Sequence, residues 1–317
     1  MSQFNIKFLL KNITAVNLFT IYYSLIFNYN LIMVNNKKIY FLGPKTSYTD
    51  VAKEELKKRF NLEGYEDVEK PTITSVSAEL SHLDNSESLA VLPIENSIEG
   101  VVKESIDNIS RIEDKDIKIL GECVIPIKHC LVSYAENLSD IKTIISHPQA
   151  ISQCFDYIYK TFGENVVYKP DSSTAHAIKH LSEDDKTIAA IGSEYSANYY
   201  KKPLKDIGIN DEPHNSTRFL LIGKLNLPKQ DCEYKTSITF STDNKPGALC
   251  DILSILRKYD INMTHISSRP SKKELGEYTF YIDIDGKILD MKVSKAMFEI
   301  LQHVIMFKHL GTYPKSI

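Results

Sequence analysis

The chain has 317 residues, 43% hydrophobic and 25% charged, with 38 Lys and Arg against 41 Asp and Glu. That length holds two or three domains with sizeable cores, and a formal net charge of −3 excludes the broad basic footprint that nucleic-acid binding requires. Five cysteines, Cys123, Cys130, Cys154, Cys232 and Cys250, show neither a C-x-x-C pair nor zinc-ribbon spacing, so reduced thiols in a cytoplasm are expected, with no bound metal.

Residues Ile13 to Val34 form an apolar, aromatic-rich run broken by Asn17, Asn28 and Asn30. The run nearly reaches bilayer length. A signal peptide fits poorly, since no small-residue cleavage pattern precedes Asn35-Asn36-Lys37-Lys38, and the lack of any Arg before Arg59 argues against a transit peptide. We read residues 1–37 as an N-terminal extension. A translation start at Met33 is the preferred explanation, with a membrane anchor or another kind of extension as alternatives.

Ile39-Tyr40-Phe41-Leu42 reads as a buried strand stopped by Gly43-Pro44, after which Thr49 caps a helix to about Phe60. Leu89 to Leu92 repeats the pattern, breaking at Pro93 before a helix from about Gly100 to Arg111. Thr143 to Ile145 leads into a helix from about Ala150 to Phe162, and Val166 to Tyr168 leads through Asp171-Ser172-Ser173 into a helix to about Leu181. Alternating strands and helices predict an α/β fold with mostly parallel sheets over residues 38–226.

A polar linker near Leu227-Pro228-Lys229-Gln230 changes the rhythm. Beyond it come a strand at Thr236 to Thr242, a helix at Pro246 to Tyr259, strands at Asn262 to Arg269 and Tyr278 to Asp285, a helix at Met291 to Gln302, and a strand at Val304 to His309. This β-α-β-β-α-β order over residues 234–314 is the ferredoxin-like unit.

Helix starts after α/β strands offer unpaired N–H groups to anions. Small hydroxyl and amide residues occupy four such junctions: Thr46-Ser47, Asn96-Ser97, Gln149 and Ser172-Ser173-Thr174. One cluster alone is an N-cap, but four converging on one cleft, joined by Arg218, suit a dicarboxylate in the absence of a basic patch. His176 and His180 stand four apart on a predicted helix with no third metal ligand in view, and read as surface residues.

The segments Asn215-Ser216-Thr217-Arg218-Phe219, Leu92-Pro93-Ile94-Glu95-Asn96-Ser97 and Ser146-His147-Pro148-Gln149 together resemble the prephenate dehydratase family. The resemblance covers about Lys38 to Pro314. It implies two catalytic lobes like those of periplasmic binding proteins, no cofactor, and decarboxylative dehydration of prephenate to phenylpyruvate, the work of a carbon–oxygen lyase. By the same resemblance Thr217 hydrogen-bonds the departing hydroxyl, Asn96 and Gln149 are neutral hydrogen-bond partners, and Ser173 and Thr174 bind a carboxylate. Thr46, Ser47, Ser97 and Phe219 complete the substrate site. Two readings stand for Arg218, substrate binding or pairing with a buried acid. Glu95 reads as a cap or structural ion pair. Either a network polarises the Thr217 hydroxyl, or it works by hydrogen bonding in a dry site.

Lys245-Pro246-Gly247-Ala248-Leu249, Ser268-Arg269-Pro270 and Leu310-Gly311-Thr312-Tyr313-Pro314 look like an ACT regulatory domain. That implies a phenylalanine site between two such domains, made by Gly247, Ala248 and Leu249 with Ser267, Ser268, Arg269 and Pro270, in a homodimer or homotetramer. Two positions depart from the family. Ser267 stands where a Glu is usual, which removes a strong acceptor, and Thr46 stands where a Gly is usual, which questions the local backbone. Two rival functions remain: an arogenate dehydratase, and a non-catalytic amino-acid or solute-binding sensor.

Overall fold

The computed structural model describes residues 37–81, 87–271 and 277–316, so the expectations for residues 1–36 lie outside the described residues. The first lobe holds β1 (Lys38–Leu42), α1 (Tyr48–Arg59), β2 (Glu66–Lys70), α2 (Ile73–Ser81), β3 (Leu89–Asn96), β4 (Gly100–Val101), α3 (Lys103–Arg111) and β5 (Lys118–Pro126). The chain then crosses into a second lobe of β6 (His129–Ser133), β7 (Thr143–Ser146), α4 (Pro148–Ser152), α5 (Phe155–Phe162), β8 (Val167–Pro170), α6 (Thr174–Lys179), β9 (Ile188–Ser193), α7 (Glu194–Tyr199) and β10 (Leu204–Ile207). It returns to the first lobe as β11 (Ser216–Gly223).

The two sheets run β2-β1-β3-β11-β5 and β10-β6-β9-β7-β8. Both are mixed where mostly parallel pairing was expected: β11 is antiparallel to β3 and β5, and β6 is antiparallel to β9 and β10. The returning strand enters the first sheet from the second lobe, and so runs against its neighbours.

Local details differ from the sequence reading for identifiable reasons. Ser47, not Thr49, caps α1 by accepting from the Asp50 amide. The segment around 150–162 splits into two helices at Gln153 and Cys154. β3 continues through Pro93, because Arg218 faces Glu95 while Phe219 faces Pro93, leaving Ile94 unmatched. Such a bulge is where an interior strand tolerates a residue with no N–H to pair.

The third sheet follows the ferredoxin-like order with β12 (Tyr234–Ser241), α8 (Ala248–Lys258), β13 (Met263–Pro270), β14 (Tyr278–Asp285), α9 (Met291–Ile300) and β15 (Met306–Pro314), arranged β13-β14-β12-β15. Gly247 opens α8 at φ 86°, a left-handed conformation that glycine adopts without a Cβ penalty. The helices cover one face through Ile252, Leu256, Val293 and Ile300. On the other face Tyr281, Leu310 and Tyr313 merge with Ile106, Ile119 and Leu220 of the first lobe into one core. β15 passes so close to β5 that a Cβ on Gly311 would lie 2.3 Å from the Ile119 carbonyl oxygen, so only glycine fits there. That docking explains why the last strand runs five residues past its expected end at His309.

Candidate active site

A cleft of about 680 Å³ lies between the lobes, walled by the β1–α1 turn, the end of β3, the start of β11, and the first residues of β6, α4 and α6. In the β3–β11 register Thr217 lies opposite Asn96, so the two side chains leave the sheet on the same face. Asn96 Nδ2 donates to Thr217 Oγ1 at 2.9 Å. Because that oxygen already accepts, the Thr217 O–H hydrogen is left to donate into the cleft.

The Asn96 amide cannot be turned round without loss. Its Oδ1 accepts from the backbone N–H groups of Ile98 and Glu99, both at 2.9 Å. Its Nδ2 also donates to Asn215 Oδ1 at 2.8 Å, and Asn215 Nδ2 donates in turn to Gln153 Oε1 at 3.0 Å. Gln153 Oε1 faces His129 Nε2 at 3.2 Å. Burial pushes the His129 imidazole pKa down against the opposing Gln153 hydrogen bond, so the ring is neutral near pH 7. The wall behind Thr217 is therefore a line of neutral groups crossing from one lobe to the other.

Seven residues expected in the catalytic or substrate site line this cleft: Ser47, Asn96, Gln149, Ser173, Thr174, Thr217 and Phe219. Ser173 caps α6 by accepting from the His176 amide at 3.0 Å, and Thr174 is its first residue. Three expected residues do not reach the cavity. Thr46 is fully buried, and Ser196 of the second lobe donates to it. Ser97 Oγ donates to the His214 carbonyl and accepts from the Ser216 amide, pinning the returning strand.

Arg218 is the third. Strand alternation sends its side chain to the face opposite Thr217, where it meets Glu122 at 2.7 Å, Asp283 at 2.7 Å and Glu95 at 3.7 Å. Its guanidinium also donates to the Tyr313 hydroxyl at 3.0 Å. Of its two readings, the structure shows the pairing with buried acids. Burial opposes its charge, but Asp283 above all outweighs that and holds its pKa well above the usual value. Glu95 sits in the same cluster. A hydrogen bond from His265, more than the nearby Arg218 charge, lowers its pKa.

Lys70 is the one Lys or Arg lining the cleft among the described residues, and it pairs with Glu79. His176, read as a surface residue, lines the mouth and bonds Asp171 through Nδ1 at 2.6 Å. Sequence reasoning assigned no role to His129, Gln153 or Asn215. Gln153 lies one helical turn beyond Gln149 and Asn215 two residues before Thr217, spacings that were available as signals.

Of the expected effector residues, Gly247 is exposed, Ala248 is buried and Leu249 packs on the third core. Ser267 is half-buried, and Ser268 and Pro270 are exposed. Arg269 turns toward the first lobe and donates to Asp107 of α3 at 2.8 and 3.3 Å. Ser241, Thr279 and Arg269 stand in one row across β12, β14 and β13, so both effector segments belong to the same end of the sheet.

The sequence profile of the family described as prephenate dehydratase matches residues 39–226, and that of the ACT domain matches residues 236–290. The chain is 41% identical to a prephenate dehydratase of Methanocaldococcus jannaschii, over 88% of this chain and 98% of that one. It is 34% identical to a bifunctional chorismate mutase/prephenate dehydratase of Aquifex aeolicus, over 88% of this chain and 74% of that one. Among solved structures, a prephenate dehydratase of Arthrobacter aurescens in complex with L-Phe superposes with a TM-score of 0.76 at 29% identity, covering 88% of this chain and 90% of that one.

Proposed function

The chain belongs to the prephenate dehydratase family, and on that premise we propose that its cleft converts prephenate to phenylpyruvate. The ring carboxylate leaves as carbon dioxide, its bonding electrons enter the ring, and the C–O bond opposite breaks to release hydroxide. Aromatisation supplies the driving force, so no electron sink is needed. What the protein adds is alignment and a hydrogen bond to the departing oxygen.

The observation that carries this reading is the Thr217 hydroxyl, which accepts from Asn96 and so presents its hydrogen to the cleft. A threonine hydroxyl is too weak an acid to transfer a full proton readily. The hydrogen bond it receives polarises it, and the hydroxide is stabilised as it forms and is released to solvent, where buffer neutralises it. Gln149 is a second neutral partner, Phe219 packs beside the ring, and Ser173 and Thr174 with Lys70 receive the side-chain carboxylate, which keeps its charge through the reaction.

Phenylalanine acts as a feedback effector in this proposal, bound between the Gly247-Ala248-Leu249 turn of one copy and the Ser267–Pro270 stretch of another within a homodimer or homotetramer. The L-Phe in the Arthrobacter complex supports that reading. So does the contact of Arg269 with Asp107, which ties the effector stretch to the first lobe. Five unpaired cysteines suit a reducing cytoplasm.

The test is to incubate the full chain with prephenate and separately with arogenate, following phenylpyruvate and phenylalanine formation with and without added phenylalanine. Phenylpyruvate from prephenate, suppressed by phenylalanine, is expected. Turnover of arogenate in preference makes the protein an arogenate dehydratase, and tight prephenate binding without turnover makes it a sensor.

A further inference from the structure

We infer that His129 is a positioning residue for this reaction, fixing the direction of the hydrogen bonds that end at Thr217. The inference rests on the reading of Thr217 as donor to the departing hydroxyl. It starts from an anomaly. His129 is 3% exposed, and its Nδ1 is buried with no hydrogen-bond partner among the described residues. Leaving a buried polar atom unsatisfied is costly, so the ring depends on the one nitrogen that has a side-chain partner, Nε2 facing Gln153.

The chain of amides fixes the direction of that bond step by step. Two backbone N–H groups, of Ile98 and Glu99, point at Asn96 Oδ1, so Asn96 must turn its Nδ2 toward Thr217 and Asn215. Asn215 must then accept with Oδ1, which turns its own Nδ2 toward Gln153. Gln153 must accept with Oε1, an orientation that also aims its Nε2 at Glu99 Oε1, 3.5 Å away. The oxygen of Gln153 now faces His129 Nε2, so Nε2 carries the hydrogen and Nδ1 is the bare nitrogen.

Reversing any one amide would set N–H against N–H. Nδ1 has no partner among the described residues in either tautomer, so the ring's one side-chain hydrogen bond is the donation from Nε2 to Gln153 at the far end. The donor holds Gln153 from the second lobe while Asn96 and Thr217 belong to the first, so the same line joins the two lobes. Tyr48 packs its ring edge-on against the imidazole with centroids 6.0 Å apart, which limits rotation of the ring. His129 does not act as a proton donor to substrate in this account.

The test uses two substitutions in the full chain. His129→Met removes the donor, and His129→Gln keeps an N–H near the position of Nε2. His129→Met should lower kcat about tenfold, the effect of losing one orienting neutral hydrogen bond, with KM within about twofold, and His129→Gln should recover most of kcat. Equal loss in both variants, or loss expressed only in KM, overturns the proposal in favour of packing or binding. A third arm repeats His129→Met in a Thr217→Val background, where it should lower kcat no further. Unimpaired turnover by Thr217→Val alone refutes the Thr217 reading. Impaired Thr217→Val with a full additional loss from His129→Met refutes only the role of His129. Thermal unfolding of each variant separates these outcomes from loss of the fold.

Discussion

Thr217 and Arg218 are consecutive on β11, yet their side chains enter opposite environments. On the cleft face stand uncharged groups: Thr217, Asn96, Asn215, Gln153 and a neutral His129. On the other face Arg218, Glu122, Asp283, Glu95 and Lys235 form a charged cluster where the third sheet docks, with His265 bonded to Glu95. The difference follows from the proposed chemistry. A carboxylate that leaves as carbon dioxide loses its charge on the way to the transition state, so a guanidinium clamped on it would stabilise substrate more than transition state. Neutral donors aimed at the departing oxygen favour the transition state instead. Arg218 serves better where charge is fixed, holding two buried carboxylates from two sheets.

The largest effect should come from breaking the charged face. Arg218→Met leaves Asp283, fully buried, and Glu122, nearly so, without their shared counter-charge. Removing one partner of such a cluster costs about 3–5 kcal/mol, and urea unfolding should register a loss of that size. A midpoint close to that of the unchanged protein would mean the cluster contributes little to docking. Thr217→Val addresses the other face. It should lower kcat by about 10²-fold, equivalent to ~2.7 kcal/mol, while leaving the unfolding midpoint close to that of the parent. If both substitutions act on stability alone, the two faces are not functionally distinct.

Much of this was legible in the sequence where the information was local. Strand ends and helix starts of an α/β unit gather at one edge of the sheet, and Ser47, Asn96, Gln149, Ser173 and Thr174 all line the one cleft as expected. Thr46 and Ser97, neighbours of two of those residues, point elsewhere, since adjacent residues rarely share a face. The sequence carries no strand signal at β6 or β9. Every residue of β6 is buried and β9 is nearly so, and a short run buried on both faces carries no two-residue alternation to read. The destination of Arg218 depends on β14 docking beside β11, a pairing of residues 65 positions apart, and so both readings stood until the fold was known. The line from Thr217 to His129 is longer-range still, since it needs the return of β11 between β3 and β5.

The smallest expected effect concerns the β1–α1 turn. Thr46 has φ 71°, a left-handed conformation in which a β-branched residue is strained. Its amide is held by Asp50 Oδ2 at 2.8 Å, and Ser196 Oγ lies 2.9 Å from its carbonyl and 3.0 Å from its hydroxyl oxygen. These contacts keep the strained residue in place and bind the first lobe to α7 of the second. Thr46→Ala removes the hydroxyl and keeps the strain, whereas Thr46→Gly removes both. Glycine is ordinarily the less stabilising of the two because it gains more freedom on unfolding. Here the order should invert, with Thr46→Gly more stable than Thr46→Ala by about 1 kcal/mol, near the lower limit of the left-handed penalty. Thermal unfolding of the pair measures this directly. If alanine proves the more stable, the backbone at 46 relaxes once the threonine is gone, and the turn is held by its side chain rather than by the surrounding fold.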